Sequence, residues 1–484
     1  MGIKTGSQYI QQIDHSKPEV WFHGEKLSGR ISNHRAFRGL MVTQSSMYDM
    51  QHEPMYKNRM TYSSPTTGNP VGLSFLHPKS KEDMVRRREM MVLWGEQHQG
   101  FMGRSPDYMN TALMSFNAAA EILSEGSPQY AQNLRDYYEY CRENDVTLSH
   151  VFVQPHASRV LKLMDNGSFD TEAAKIVDSN KDGIIVNGAF LLATQGVTSD
   201  EIWVHPPVTT YLQETNNPNT FVFAVPNNLP GMKWICRESM VGGGSLFDYP
   251  LSSRYEEMDT LIVFDHVLVP WNRVFVAGND RLSQRLFSES GFHTHSAHQV
   301  LCRYITKAEF LLGVILNMVE SLDLGTQPQI IEKVSEVIVS VETLKALLIA
   351  SEVNASADRW GGMLPDRNSL WTANVLFPKI YPRMLEIIQL IGASGIIMIP
   401  SEADFNTEIE PYLSTYLEGN SMDAKKKVQL FRLAWELSSS GFGGRQSLYE
   451  RFFFGDANTV NRRLFQGYSH KDHLIKKVND FLKG

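Results

Sequence analysis

Between Lys81 and Leu123 the runs KEDMVRRREMMVLWGEQHQ and NTALMSFNAAAEIL place apolar residues at three- and four-residue intervals, the spacing of a buried helix face. From His150 to about Val276 the pattern changes. The runs VFV, GIIVNGAFLLAT, EIWVHP, TFVFAVP, MKWIC and TLIVFDHVLVPW are short, rich in Val, Ile, Phe and Trp, and separated by Gly, Pro and Asn. That is the signature of strands and turns, in a barrel or a sandwich. Beyond Ser296 long helical periods return, in VLCRYITKAEFLLGVILNMVESL, QIIEKVSEVIVSVETLKALLIASEVNA, SLWTANVLFPKIYPRMLEIIQLIG and KKKVQLFRLAWELSSS. Helices, then strands, then helices predict an α+β chain with segregated layers rather than alternating βαβ units. The expected division is a helical domain over 1–149, a strand-rich domain over 150–280 and a helical bundle over 281–484. The last helices carry apolar residues on more than one face, for example in VILNMVESLDL and VIVSVETLKALLIA, which predicts association into a homo-oligomer.

Charge and composition narrow the class. A net charge of −7 gives no basic surplus for nucleic acid or an anionic membrane. No run of about eighteen apolar residues occurs, and the N-terminal segment is too polar for a signal peptide. Cys141, Cys236 and Cys302 are scattered, with neither a disulfide framework nor CxxC spacing, as expected in a reducing cytoplasm. There is no GxGxxG after a strand and no GxxxxGK[ST] loop, and GGGS at Gly242 to Ser245 reads as a turn. His293, His295 and His298 in GFHTHSAHQ have metal-like spacing but no companion carboxylates in sequence, so no metal is assigned.

GFMGRSPDYMN, from Gly100 to Asn110, sets Arg104 and Tyr108 around a proline between two helical runs, and His150 opens the strand-rich part. Singly, each has a structural role to hand. Arg104 can pair with Asp107 or Glu143, Tyr108 can be a core aromatic with a wet hydroxyl, and His150 can mark the helix-to-strand junction. Together, an Arg, a Tyr and a His can hold a phenolate-like oxygen and supply a proton.

Five longer runs carry a resemblance. They are MGRSPDYMN (Met102 to Asn110), LSHVFVQPHASR (Leu148 to Arg159), DGIIVNGAFLLATQGVTSDEI (Asp182 to Ile202), FDYPLSSRYEEMDTLIVFDHVLVPWNRVF (Phe247 to Phe275) and FGGRQSLYERFFFGD (Phe442 to Asp456). In this order they resemble the oxygenase component of the two-component 4-hydroxyphenylacetate 3-monooxygenase family of phenol hydroxylases. The resemblance implies an acyl-CoA dehydrogenase-like fold with an N-terminal helical domain, a central β-barrel and a C-terminal four-helix bundle. It implies that a separate flavin reductase supplies reduced FAD, that O2 is co-substrate, and that a flavin hydroperoxide hydroxylates 4-hydroxyphenylacetate or a similar para-substituted phenol ortho to its hydroxyl. The family's habit of tetramers implies a tetramer or dimer.

By the same resemblance Arg104, Tyr108 and His150 are the catalytic and phenol-binding residues, and Thr209 and Thr210 in HPPVTT lie where the substrate's tail is bound. FAD contacts fall on His150, on His156, Ala157, Ser158 and Arg159, on Thr194, and on Gly455, Asp456 and Ala457. Gly443 to Arg445 approach the flavin from a neighbouring subunit. Where relatives commonly read HPQVNR this chain has QPHASR, which keeps Pro155 and Arg159 and changes the residues between them. The alternative on the same scaffold is a 4-hydroxybutyryl-CoA dehydratase-like enzyme. Its iron–sulfur cluster needs cysteines that the Met102 to Met109 region lacks.

Overall fold

The computed structural model of the chain describes residues 2–155, 173–205, 216–243 and 245–483. Its N-terminal part is built on helices α1 (Arg35–Met50), α2 (Lys81–Gln97), α3 (Pro106–Ala118) and α4 (Pro128–Asn144). Their starts follow from local chemistry. The Ser80 side chain accepts from the Asp83 N–H at the head of α2, with Glu82 and Asp83 in its first turn. Pro106 and Pro128 open α3 and α4, where a missing N–H costs nothing.

Strands β1 (Val20–Phe22) and β2 (Glu25–Lys26) precede these helices. The middle of the chain supplies β3 (Leu148–Val151), β4 (Lys175–Ser179), β5 (Gly183–Phe190), β6 (Glu201–Val204), β7 (Phe221–Pro226), β8 (Met232–Cys236), β9 (Thr260–Pro270) and β10 (Val274–Ala277). They form a six-stranded sheet ordered β2-β1-β8-β9-β5-β4 and a four-stranded sheet ordered β10-β7-β6-β3. Among the described residues neither sheet closes, so the expected barrel is not what they form. Among the described residues one isolated bridge, Val153 to Leu191, links them. Period-two alternation fixes which face of a strand is buried and is silent on whether the outer strands meet. A shared core fills the space between the sheets: Phe190 meets Phe221 and Phe264 edge-on, and Phe223 meets Phe264 likewise.

The C-terminal part begins with α5 (Asp280–Glu289) and the long α6 (Phe292–Ser321). It continues through α7 (Pro328–Val353), α8 (Arg367–Gly392), α9 (Ala424–Ser438), α10 (Gly441–Phe452), α11 (Ala457–Gly467) and α12 (Lys471–Leu482). Helices α6, α7, α8 and α9 pack together, and α6 also packs against α2 and α3. Every residue of α6 from Thr294 to Ala308 is buried. Several of its polar side chains find partners there: Gln299 donates to Asp107, His298 meets Glu352, and Arg303 and Lys307 share Glu450. One core runs from α2 and α3 through α6 to α8 and includes Trp203 and Phe275 of the four-stranded sheet.

Candidate active site

Beside the four-stranded sheet, α3, α6 and α10 enclose a cavity of about 590 Å³. That size suits a cofactor ring together with a small substrate. Pro106 starts α3, so Arg104 stands just outside the helix and Tyr108 lies in its first turn. The Arg104 backbone N–H donates to Glu257 Oε1 at 2.6 Å, and its guanidinium donates to the Tyr449 hydroxyl at 2.7 Å. That guanidinium lies 4.9 Å from the Tyr108 ring centre and 4.8 Å from that of Phe453. Neither acid proposed for it from the sequence is its partner. Glu143 pairs with Arg142, and Asp107 accepts from Ser105 and Gln299. Among the described residues Arg104 makes no ion pair.

Strand register places the histidines. Strands β3 and β6 pair in parallel, with His150 opposite Trp203 and Val151 opposite Val204. Residues two apart share a face, so His150 and Phe152 point the same way as Trp203 and His205, and all four line the cavity. His150 stacks between Tyr108 and Phe152, with 5.5 Å between ring centres on each side. At the other end Phe116 stacks on Trp203 at 5.2 Å, flanked by Phe287 and Phe292.

Electrostatics follow from this dry setting. Burial, then the Arg104 charge and His205, hold His150 well below the usual imidazole range, so it is neutral at pH 7; its buried Nδ1 has no partner among the described residues. Burial, then His293, pushes His205 down to about 3; its Nε2 lies 3.1 Å from the Ser283 hydroxyl and its Nδ1 has no partner among the described residues. Burial raises the Tyr108 phenol more than Arg104 and Arg303 lower it, so it stays protonated, and no described residue hydrogen-bonds its hydroxyl. Among the described residues the cavity is lined by one carboxylate, Asp259, whose charge is balanced by arginines. Burial would raise it, but Arg445 and Arg237 hold it ionised well below the usual carboxylate range. Among the described residues the cavity thus carries surplus positive charge at Arg104 and at Arg463, neither of which has an acidic partner there.

Arg104, Tyr108, His150, Thr194 and Gly455 all line this one space. The Thr194 hydroxyl donates to Asp259 at 2.6 Å. Asp456 and Ala457 do not line it: the Asp456 carboxylate caps α11, accepting from the Asn458 and Thr459 N–H groups. His156, Ala157, Ser158, Arg159, Thr209 and Thr210 lie outside the described residues. Of the three clustered histidines only His293 lines the cavity, because residues two and five apart on a helix diverge. Tyr449 was not picked out by the sequence reading. Arg445, Tyr449 and Phe453 are spaced four apart, a helical stripe that was legible in RQSLYERFF. None of the three cysteines lines the cavity.

Fold and cavity together define a mixed α+β protein whose helical bundle and strand layer enclose a cationic, aromatic-walled pocket. Comparison with known proteins places it more narrowly. The 4-hydroxyphenylacetate 3-hydroxylase N-terminal signature matches residues 5–276 and the C-terminal signature residues 283–483. The chain belongs to that family. It is 42% identical over 485 residues to the 4-hydroxyphenylacetate 3-monooxygenase oxygenase component of Geobacillus sp. (strain PA-9), covering 100% of this chain and 97% of that one. It is 40% identical to the Thermus thermophilus protein of the same name, covering 99% and 97%. A crystal structure of such an oxygenase component, complexed with FAD and 4-hydroxyphenylacetate, superposes with a TM-score of 0.93 at 39% identity, covering 99% of this chain and 98% of that one. An archaeal 4-hydroxybutyryl-CoA dehydratase, 19% identical with a TM-score of 0.86, shares the fold.

Proposed function

We propose that this chain is the oxygenase component of a two-component phenol hydroxylase. It takes reduced FAD from a separate flavin reductase and O2 as co-substrate, and inserts one oxygen atom ortho to the hydroxyl of 4-hydroxyphenylacetate or a similar para-substituted phenol. The observation that carries this reading is the Arg104 guanidinium, free of any described carboxylate, beside an unengaged Tyr108 hydroxyl and the unpartnered Nδ1 of His150. The cavity's aromatic walls and the unpartnered imidazole nitrogen suit a flavin ring, which His150, Thr194 and Gly455 would hold.

When bound, reduced FAD together with O2 supplies the oxygen atom that is transferred. The protein's part is to make the phenol ring electron-rich and to keep water out. Arg104 favours negative charge on the phenol oxygen, which raises electron density at the ortho carbon. Tyr108, protonated at working pH, donates a hydrogen bond to that oxygen. His150, held neutral, takes part as a hydrogen-bonding group beside that oxygen and does not store the phenol proton. Phe453 beside Tyr108 and Phe152 beside His150 exclude water from the reacting atoms, and Phe116, Trp203, Phe287 and Phe292 close the far end. The para substituent extends along the sheet toward His205, one strand over and two residues along from His150. Exposed Ile331, Ile338 and Val339 on α7 and Leu474, Ile475 and Val478 on α12 support assembly of a homo-oligomer, a dimer or tetramer.

Incubating the protein with chemically reduced FAD, O2 and a panel of phenols tests the reading. The expected product from 4-hydroxyphenylacetate is the catechol. Hydrogen peroxide without a catechol from any para-substituted phenol contradicts it.

A further inference from the structure

Arg104 is useful to a phenol oxygen only if it stays unpaired and pointed into the cavity. Asp107, in the first turn of α3, is held away by Ser105 and Gln299, which leaves Arg104 unpaired but does not aim it. Glu257, a buried acid, meets Arg104 only at its backbone N–H; the same oxygen accepts from Gln195, and its other oxygen accepts from Arg445 at 2.9 Å. Among the described residues the guanidinium's one side-chain hydrogen bond is to Tyr449, on α10. Tyr449 is one helical turn after Arg445, whose ion pairs with Asp259 and Glu257 anchor that face of α10 to the lead-in of β9. Its ring is ringed by three guanidinium groups, Arg104, Arg303 and Arg445, at 5.5, 5.5 and 4.9 Å from the ring centre. Its hydroxyl fits there because residue 103 is glycine: a Cβ at Gly103 would fall 1.9 Å from that oxygen. The two residues of the Gly103–Arg104 pair therefore address the same hydroxyl, one by making room for it and one by donating to it.

We propose that Tyr449 is a positioning residue that aims the Arg104 guanidinium at the phenol oxygen. The inference rests on the reading of Arg104 given above. Tyr449 acts through Arg104: its oxygen accepts one N–H, fixes the plane of the guanidinium and leaves the remaining donors for the substrate. It introduces no negative charge, since burial first of all raises its phenol far above neutral pH. An acid in its place would cancel the charge that Arg104 brings.

The test uses 4-nitrophenol, whose phenolate absorbs visible light, bound to the protein carrying reduced FAD under anaerobic conditions and titrated across neutral pH. In the unaltered protein the bound probe ionises at lower pH than free probe. Tyr449→Phe keeps the ring among its arginines and removes only the hydroxyl. It is expected to raise the bound probe's pKa by about half a unit to one unit, a roughly three- to tenfold loss of phenolate at a given pH. Arg104→Ala is expected to raise it further, and Tyr449→Phe added to Arg104→Ala to change nothing more. If Arg104→Ala raises the pKa while Tyr449→Phe leaves it unmoved, or if the two shifts add in the double variant, the positioning role is wrong. If Arg104→Ala itself leaves the pKa unchanged, the placing of Arg104 on the phenol oxygen fails first.

Discussion

Arg104, Tyr108 and His150 come from a loop, a helix start and a strand, and they meet because Pro106 fixes where α3 begins and β3 pairs in register with β6. Losing a charge-assisted hydrogen bond in a closed site costs about 1.5–3 kcal/mol, so Arg104→Ala is expected to slow hydroxylation by roughly ten- to hundredfold. Tyr108→Phe is expected to be milder, and His150→Ala to release hydrogen peroxide without product. The ratio of catechol formed to peroxide released, measured on folded variants, checks all three; full coupling at normal rates in each contradicts the assignment. The cavity's histidines also set an acid limit. His205 and His293 are depressed to about 3 and about 4, chiefly by burial, whereas unfolded histidine titrates near 6.5. Below that value the unfolded chain binds protons that the folded one refuses. Stability is therefore whole above about pH 6.5 and falls by about 1.4 kcal/mol per pH unit for each such histidine as pH drops toward 4. Denaturant midpoints measured from neutral to acid pH should show this slope, and His205→Gln should flatten it. These residues were only partly legible in sequence. His205 lay in a segment noted for its threonines, and neither its burial nor its free Nδ1 is written in HPPVTT. His293 stood in a spacing that suggested a metal, and helical geometry separates it from His295 and His298.

At the scale of elements, α10 is the piece that joins the bundle to the strand layer. Arg445 donates to both Asp259 oxygens and to Glu257, at 2.8–3.0 Å. Removing one partner of a buried ion pair leaves the others uncompensated, at a cost of about 3–5 kcal/mol. Arg445→Met should lower the denaturant midpoint accordingly, and Asp259→Asn in that background should restore part of the loss. An unchanged midpoint would show that α10 is held by packing alone. The helices themselves were readable from three- and four-residue periodicity, even α8, which carries Pro378 and Pro382 within one 26-residue helix. The closure of the strands was not readable. Short alternating runs report a buried face, and the parallel pairing of β3 with β6 and of β1 with β8 joins residues far apart in sequence. Nothing local in LSHV or VWF signals those partners.

For the whole molecule, the apolar stripes left outside the single-chain core predict assembly. Helix α12 buries none of its residues yet exposes Leu474, Ile475, Val478, Phe481 and Leu482 along one side. Light scattering should report a homo-oligomer, and a stable, fully active monomer would remove this expectation. The central claim is that the cavity directs one atom of O2 onto a phenol ring. Its most direct test is one turnover with reduced FAD, 4-hydroxyphenylacetate and ¹⁸O-labelled dioxygen, followed by mass spectrometry of the aromatic product. The account predicts one heavy oxygen in the new ring hydroxyl, adjacent to the original one. A hydroxylated product carrying oxygen from water, or consumption of the labelled gas with no labelled product, would contradict it.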